Sequence, residues 1–253
     1  MYSTNFLRDS RCKEILSEPS GKYHIVDYTT DMSVNPQTAV QAYFASKMNV
    51  HKRQLVVKLN NDSVVMQAGA MQWMAGNIQI KTDVKGVGDF AKKMFGASVT
   101  NETAIKPLYQ GVGEIVLEPT YKFILLEDLN DWNGSMVIED GMFLACDGGV
   151  QIKTVMRKSI SSAALGNEGL FNTCLAGKGI VALESPVPEE ELVCVQLDND
   201  VLKVDGSFAV AWSRELDFTV ERTTKTLIGS AASGEGLVNV YRGTGKVLLA
   251  PIM

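Results

Sequence analysis

The pattern G-x-G-x-I/V-x-L occurs three times in this chain, at Gly111 (GVGEIVL), Gly177 (GKGIVAL) and Gly243 (GTGKVLL), each copy 66 residues after the last. A mark that returns at such a period limits the fold to tandem units packed on one another. Two further marks keep the same order. IQIKT at 78–82 returns as VQIKT at 150–154, an offset of 72 residues, and Gly69 and Gly141 precede them at the same offset. Gly206, in VDGSFAVAWSRELDFTV, holds the glycine position of a third copy. Upstream, VKLNND from Val57, LLEDLND from Leu125 and VQLDND from Val195 fill the remaining slot. The repeats divide the chain into segments 50–119, 120–188 and 189–253, which form one compact unit behind an extension at 1–49.

Each copy reads as β structure. Short runs rich in valine, leucine and isoleucine precede Asn/Asp clusters, whose side chains bond the local backbone and tolerate positive φ. The G-x-G pairs sit between apolar runs (LYQ-GVG-EIVL), which predicts a hairpin connection there. The expected fold is all-β: three sandwich-like modules around a pseudo-threefold axis. In the extension, NPQTAVQAYFASKM from Asn35 predicts one helix, with Asn35 near its cap and Pro36 in its first turn. Ala39, Val40, Tyr43, Phe44 and Met48 form an apolar stripe suited to covering a sheet edge or barrel end. FAKKMF (90–95), SISSAAL and TKTLIGSAA mark equivalent short helical excursions. In QAGAMQWMAGNIQIKT, Met71, Trp73 and Met74 align with Phe143, Cys146 and their apolar neighbours, so these positions read as interchangeable packing.

QAGAMQWMAGN, the segments GNEGLF and SGEGLV, and the closing G-x-G-x-V-x-L pattern together resemble the mitochondrial biogenesis (altered inheritance of mitochondria) family over roughly 50–253. The resemblance implies tandem units of double-stranded β-helix type, similar in fold to the tryptophan RNA-binding attenuation protein. It carries no catalytic residues to this chain. VPEEELVCV replaces the family's usual Pro-Gly turn in the third copy, and residues 1–49 are not assigned by the resemblance.

Chemistry is sparse. KGVGDFA (85–91) matches a dinucleotide fingerprint, but the strand before it alternates, unlike a strand buried on both faces. Asp128 to Glu139 resembles a calcium loop, with Trp132 in a ligand position and Gly134 one place late. A hairpin loop fits it better. His24 and His51 are the only histidines, so the repeats offer no His-based metal cluster. A Ser-His-Asp triad lacks any G-x-S-x-G signal. Cys12, Cys146, Cys174 and Cys194 are scattered and read as reduced thiols. No catalytic group, metal or cofactor is expected. With 24 Lys and Arg against 29 Asp and Glu, the net charge of −5 argues against nucleic-acid binding. The N-terminus lacks the apolar core of a signal peptide, and no apolar run reaches the roughly 20 residues that span a bilayer. A cytoplasmic location is the expectation.

Charge is segregated, however. No Lys or Arg falls between Lys122 and Lys153, or between Lys178 and Lys203, while cations follow the second strand of each copy. Under threefold symmetry Lys85, Lys92, Lys93, Arg157, Lys158, Arg222 and Lys225 gather at one end, suited to docking on an anionic membrane or protein surface. The expected function is a non-enzymatic, oligomeric scaffold or interaction protein. The alternative is a small-molecule binder or enzyme with a pocket between modules.

Overall fold

The computed structural model describes residues 2–8, 10–82, 106–156, 158–159, 171–222 and 237–251. In chain order the elements are β1 (Glu14–Ser17), β2 (Tyr23–Asp27), α1 (Ala39–Lys47), β3 (Arg53–Met66), β4 (Met71–Lys81) and β5 (Leu108–Leu117). The middle segment gives β6 (Phe123–Asp128), a 3-10 turn (Leu129–Trp132), β7 (Ser135–Ile138), β8 (Phe143–Asp147), β9 (Gln151–Met156), β10 (Lys158–Ser159), β11 (Phe171–Ala176) and β12 (Ile180–Ser185). After a second 3-10 turn (Glu189–Glu191) come β13 (Val193–Asp205), β14 (Ala209–Ser213), β15 (Asp217–Arg222) and β16 (Leu237–Leu249). The fold is all-β with one α-helix among the described residues.

Two curled eight-stranded sheets form half-barrels. The first runs β1-β2-β3-β8-β12-β6, with β5 on β3 and β4 on β5; the second runs β10-β15-β16-β14-β7-β11-β9, with β13 on β16. The middle segment is therefore divided. β6, β8 and β12 complete the first sheet, and β7, β9 and β11 complete the second.

The pairing scheme recurs along the chain. In the first and third segments the last strand lies between the opening strand and the central ones (β5 between β3 and β4; β16 between β13 and β14–β15), and in the middle segment β12 and β11 take that place. The same bulge appears three times, at Met71–Trp73 against β5, at Phe143–Ala145 against β12 and at Ala209–Ala211 against β16. Asn61, Asn133 and Asn199 are left-handed, with φ of 54, 51 and 48°, a conformation asparagine tolerates better than other side chains. The left-handed residue of the middle segment is thus in WNG, eight residues beyond the start of the LLEDLND that the sequence suggested. A 3-10 turn stands between them, capped by Asp128, whose Oδ1 accepts from the Asn130 N–H at 2.8 Å. That turn is not the predicted hairpin loop, since β6 pairs with β12 in the first sheet and β7 with β11 and β14 in the second, and it buries Trp132 where a calcium loop would need a ligand.

The G-x-G pairs are not hairpin connections. Gly111 and Gly113 lie inside the unbroken β5, and Gly243 and Gly245 inside β16. Gly177 and Gly179 link β11 to β12, where the chain passes from one sheet to the other. Close backbone approach explains the first pair: a Cβ on Gly113 would stand 2.2 Å from the Ala75 carbonyl oxygen, and one on Gly111 2.1 Å from that of Asn77. Gly179 and Gly245 instead face the side chains of Asp147 and Ser213.

The extension differs most from expectation. Besides the helix it supplies the hairpin β1–β2, and β2 adds to β3 with Tyr23 opposite Val57 and Asp27 opposite Arg53. Asn35 Oδ1 accepts from the Gln37 and Thr38 N–H groups, and α1 starts one turn later than predicted, at Ala39. Its apolar stripe is open among the described residues: Val40, Tyr43, Phe44 and Met48 are 58–77% exposed. Met71, Trp73 and Met74 are on the edge strand β4, Met71 and Trp73 partly buried against neighbouring clusters and Met74 39% exposed, whereas Phe143 and Cys146 are core. FAKKMF, KGVGDFA, TKTLIGSAA and, beyond Ser159, SISSAAL lie outside the described residues.

The buried side chains form four clusters among the described residues, three of them large. Leu55, Val57, Met66, Ile115 and Leu117 pack with Ala145 and Ala182 of the middle segment. Trp132, Met136, Ile138 and Leu175 pack with Ala211 and Leu248 of the third. Trp212, Phe218 and Tyr241 form an aromatic cluster in the third, with ring centroids 4.9–5.3 Å apart.

Candidate functional site

Among the clefts of the described surface, three are walled in part by polar groups that bond to one another. The cleft under α1, about 630 Å³, is lined by Met32, Val34, Tyr43, Val50 and Tyr121. Its charged pair, Lys52 and Asp31, is closed at 3.1 Å, and Asp31 also accepts from the Ser33 hydroxyl and N–H. Those hydrogen bonds hold the Asp31 carboxyl below its ordinary range. A second cleft, about 350 Å³, lies between β1 and β6. Arg53 at its wall stacks 4.0 Å above the Phe123 ring and donates to Asp27 and to the Asn49 side chain. His51 meets the other oxygen of Asp27. The third, about 600 Å³, is a shallow opening beside Tyr2, Lys58 and Asp62.

Lys22 ties the extension to both neighbouring segments. Its ammonium bridges Asp62 and Asp147, each at 2.5 Å, while Asp147 also accepts from the Tyr23 hydroxyl and the Ile180 N–H. Burial and the Asp147 charge push the Tyr23 phenol far above its usual range. Glu127 accepts from the Trp132 indole at 2.9 Å, and Lys246 stands 4.0 Å over that ring. Burial still raises the Glu127 carboxyl. These networks brace the fold.

The catalytic inventory is equally thin. Cys146 is buried, which pushes its thiol up to about 12 and leaves it inert. Ser17 Oγ lies 2.6 Å from His24 Nδ1, the one such contact among the described residues. They face each other across the β1–β2 hairpin, and His24 Nε2 has no partner among the described residues. A triad needs an acid at that second nitrogen. No group of three or more His, Cys, Asp or Glu is placed to share a metal ion among the described residues. No described helix is long and apolar enough to cross a membrane.

Of the cations assigned to a docking end, Lys85, Lys92, Lys93, Arg157 and Lys225 lie outside the described residues. Lys158 and Arg222 fall on neighbouring strands, Lys158 opposite Thr219 on β15 and Arg222 at the end of β15 opposite Leu237. Sequence reasoning missed the two long strand edges. Among the described residues β4 pairs only with β5, and β13 only with β16. Together with the helix face they are unsatisfied features of the described surface.

A family model described as mitochondrial biogenesis AIM24 matches residues 44–252. The chain belongs to this family. An uncharacterized protein of Streptococcus pyogenes serotype M6 is 30% identical over 195 residues, 74% of this chain and 76% of that protein. The crystal structure of a Streptococcus pyogenes protein superposes with a TM-score of 0.58 at 26% identity, covering 80% of this chain and 89% of that one. The AIM24 match begins inside α1, so the hairpin β1–β2 and the segment ahead of it lie outside the family's common part.

Proposed function

We propose that this protein is a non-enzymatic cytoplasmic scaffold, built from three copies of one β unit of the kind found in the tryptophan RNA-binding attenuation protein. The recurring bulge and the left-handed asparagines support three copies of one unit. One observation carries the function: two long strand edges and an apolar helix face are open among the described residues, while the charged pairs Lys52–Asp31 and Lys22–Asp62 at the cleft walls are closed. Such a surface suits protein contacts better than small-molecule capture. Native mass spectrometry of protein purified from its own host tests the reading. Oligomers or stoichiometric protein complexes are expected; a monomer retaining a small molecule overturns it.

The basic end remains part of this proposal as a docking surface for anionic membrane. Flotation with anionic liposomes at low salt should recover the protein, and neutralising Lys85, Lys92 and Lys93 should abolish recovery. Binding unchanged by those substitutions counts against the docking role. The alternative is a small-molecule binder or enzyme with a pocket between modules, and Ser17 with His24 is a contact among the described residues that such an enzyme could use. Covalent labelling of Ser17 by a fluorophosphonate probe would favour it.

A further inference from the structure

The segments are joined by one kind of seam, made twice. The end of β3 pairs with β8, Val64 opposite Asp147, Val65 opposite Cys146 and Met66 opposite Ala145. β7 pairs with β14 in the same way, Met136 opposite Ser213, Val137 opposite Trp212 and Ile138 opposite Ala211. In each, the second half of one segment's opening strand meets the first central strand of the next. The flanking bonds agree as well: the Gln67 N–H donates to Leu144 O in the first seam, and the Glu139 N–H donates to Val210 O in the second.

Carrying the register forward gives a third seam whose two halves both exist and do not meet. The donor half is β13, where Leu202, Lys203 and Val204 hold the places of Val64, Val65 and Met66. The local geometry is already that of β3: Asp200 Oδ1 accepts from the Val201 N–H at 2.7 Å, as Asp62 Oδ1 does from Ser63 at 2.6 Å. The acceptor half is β4, where Trp73, Met74 and Ala75 hold the places of Ala145, Cys146 and Asp147. Trp73 lies opposite Val116 as Ala145 lies opposite Ala182 and Ala211 opposite Leu248.

The face behind the acceptor strand shows what normally covers it. Ala145 and Ala182 are buried in the core of the first segment, and Ala211 and Leu248 in that of the middle one. The corresponding Trp73 and Val116 have no earlier segment to rest on. Phe6 and Leu7 of the N-terminal arm, with Tyr28, take its place over Val56 and Val116, and the Phe6 ring meets Trp73 edge-on at 5.5 Å.

We propose that the protein assembles head to tail, β13 of one copy pairing antiparallel with β4 of the next, Val204 opposite Trp73 and Lys203 opposite Met74, with the N-terminal arm as a removable cover on the acceptor face. This rests on the scaffold reading above and names its partner as a second copy of the chain. The contact is heterologous, so it propagates or closes into a ring rather than stopping at two. Lys203 in mid-strand is an edge guard that keeps unrelated strands off β13.

The test uses full chains carrying Cys12→Ser and Cys194→Ser. One tagged chain has Met74→Cys, another has Lys203→Cys, and a short bis-maleimide links them. The in-register pair should cross-link at least tenfold faster than Met74→Cys with Gln196→Cys, which is out of register. Adding Phe6→Ser to the Met74→Cys chain loosens the arm and should raise the rate several-fold more. Lys203→Pro removes an N–H that this register directs away from β16, and in sedimentation velocity it should reduce the assembly to monomer with its circular dichroism unchanged. The proposal is overturned if the in-register pair links no faster than the control in both intact and Phe6→Ser chains. Oligomers that persist in Lys203→Pro without in-register linking refute this seam and leave the scaffold reading standing. A monomer at every concentration, with and without Phe6→Ser, removes self-association altogether.

Discussion

The middle segment and its two neighbours follow the same strand scheme, yet only the middle one breaks its opening and closing strands. β3, β13 and β16 run for 13 or 14 residues and β5 for 10. The middle segment divides the corresponding lengths into β6 and β7, and β11 and β12, of four to six residues each. It alone has a segment on both sides, so its two halves belong to different sheets. Strand continuity here is decided by the neighbours and not by the strand's own residues.

The largest expected effect tests that break. Trp132 sits at the turn between β6 and β7, 1% exposed, anchored by Glu127 and covered by Lys246. Trp132→Ala should cost about 3–5 kcal/mol in urea denaturation. Trp73→Ala, on the open edge of the first segment, should cost about 1 kcal/mol, because its ring is only partly withdrawn from water. Equal costs would mean that the two ends of the molecule are equally packed and the comparison fails.

Next comes the close approach inside an unbroken strand. A Cβ on Gly113 meets the backbone oxygen of Ala75, which cannot swing away as a side chain could, and the Ile78 side chain stands within 2.7 Å. Gly113→Ala should destabilise by about 3 kcal/mol, the upper range for overpacking. Gly149→Ala meets nothing within 4 Å and should stay within about 0.5 kcal/mol. Thermal unfolding of the pair would sharpen the claim that these glycines serve contact between strands.

What was legible in the sequence follows from the same distinction. The repeats could be read because they mark local backbone demands, such as left-handed residues at Asn61 and Asn199 or glycines under close approach. The sheet assignment could not, because Val57 and Leu125 look alike in sequence while their segments meet different neighbours. The first hairpin was missed although PSG between EIL and YHIVDY is a fair turn signal; β1 and β2 are only four and five residues long. The helix was found from its pattern, but a pattern does not say whether its apolar face has a partner. The open edges left no sequence signal, because an edge is defined by a strand that is not there.

A smaller effect, of opposite sign, separates the first segment from its equivalents. Glu114 on β5 is 2% exposed, with one carboxylate oxygen lacking a hydrogen-bond partner among the described residues. The corresponding residues of the later copies are Ile180 and Lys246. Burial raises the Glu114 carboxyl above its ordinary 4.5, against the pull of Lys58. Unfolding returns it to the ordinary value, so the charged form destabilises the fold above the raised pKa. That penalty fades as pH falls through the raised value and is gone below about 4.5. Glu114→Gln should therefore stabilise by about 1 kcal/mol at neutral pH. The advantage over wild type should close on acidification in parallel urea titrations. A gap that is constant with pH would place the carboxylate in water.

The smallest expected effect divides the extension itself. Phe44 on α1 is already 64% exposed, so Phe44→Ser should change stability by no more than about 0.5 kcal/mol. Val56, fully buried beneath Phe6 and Leu7, should lose about 3 kcal/mol as Val56→Ser, through lost burial and an unpaired hydroxyl. The arm then behaves as part of the first segment, while the helix stands apart from the cooperative unit. Hydrogen exchange reads the same division: amides of β3 opposite the arm should exchange only on global unfolding, and those of α1 by local opening. A helix protected as strongly as β3 in the isolated chain would show that its apolar face is already occupied, and would remove it from the surfaces left for a partner.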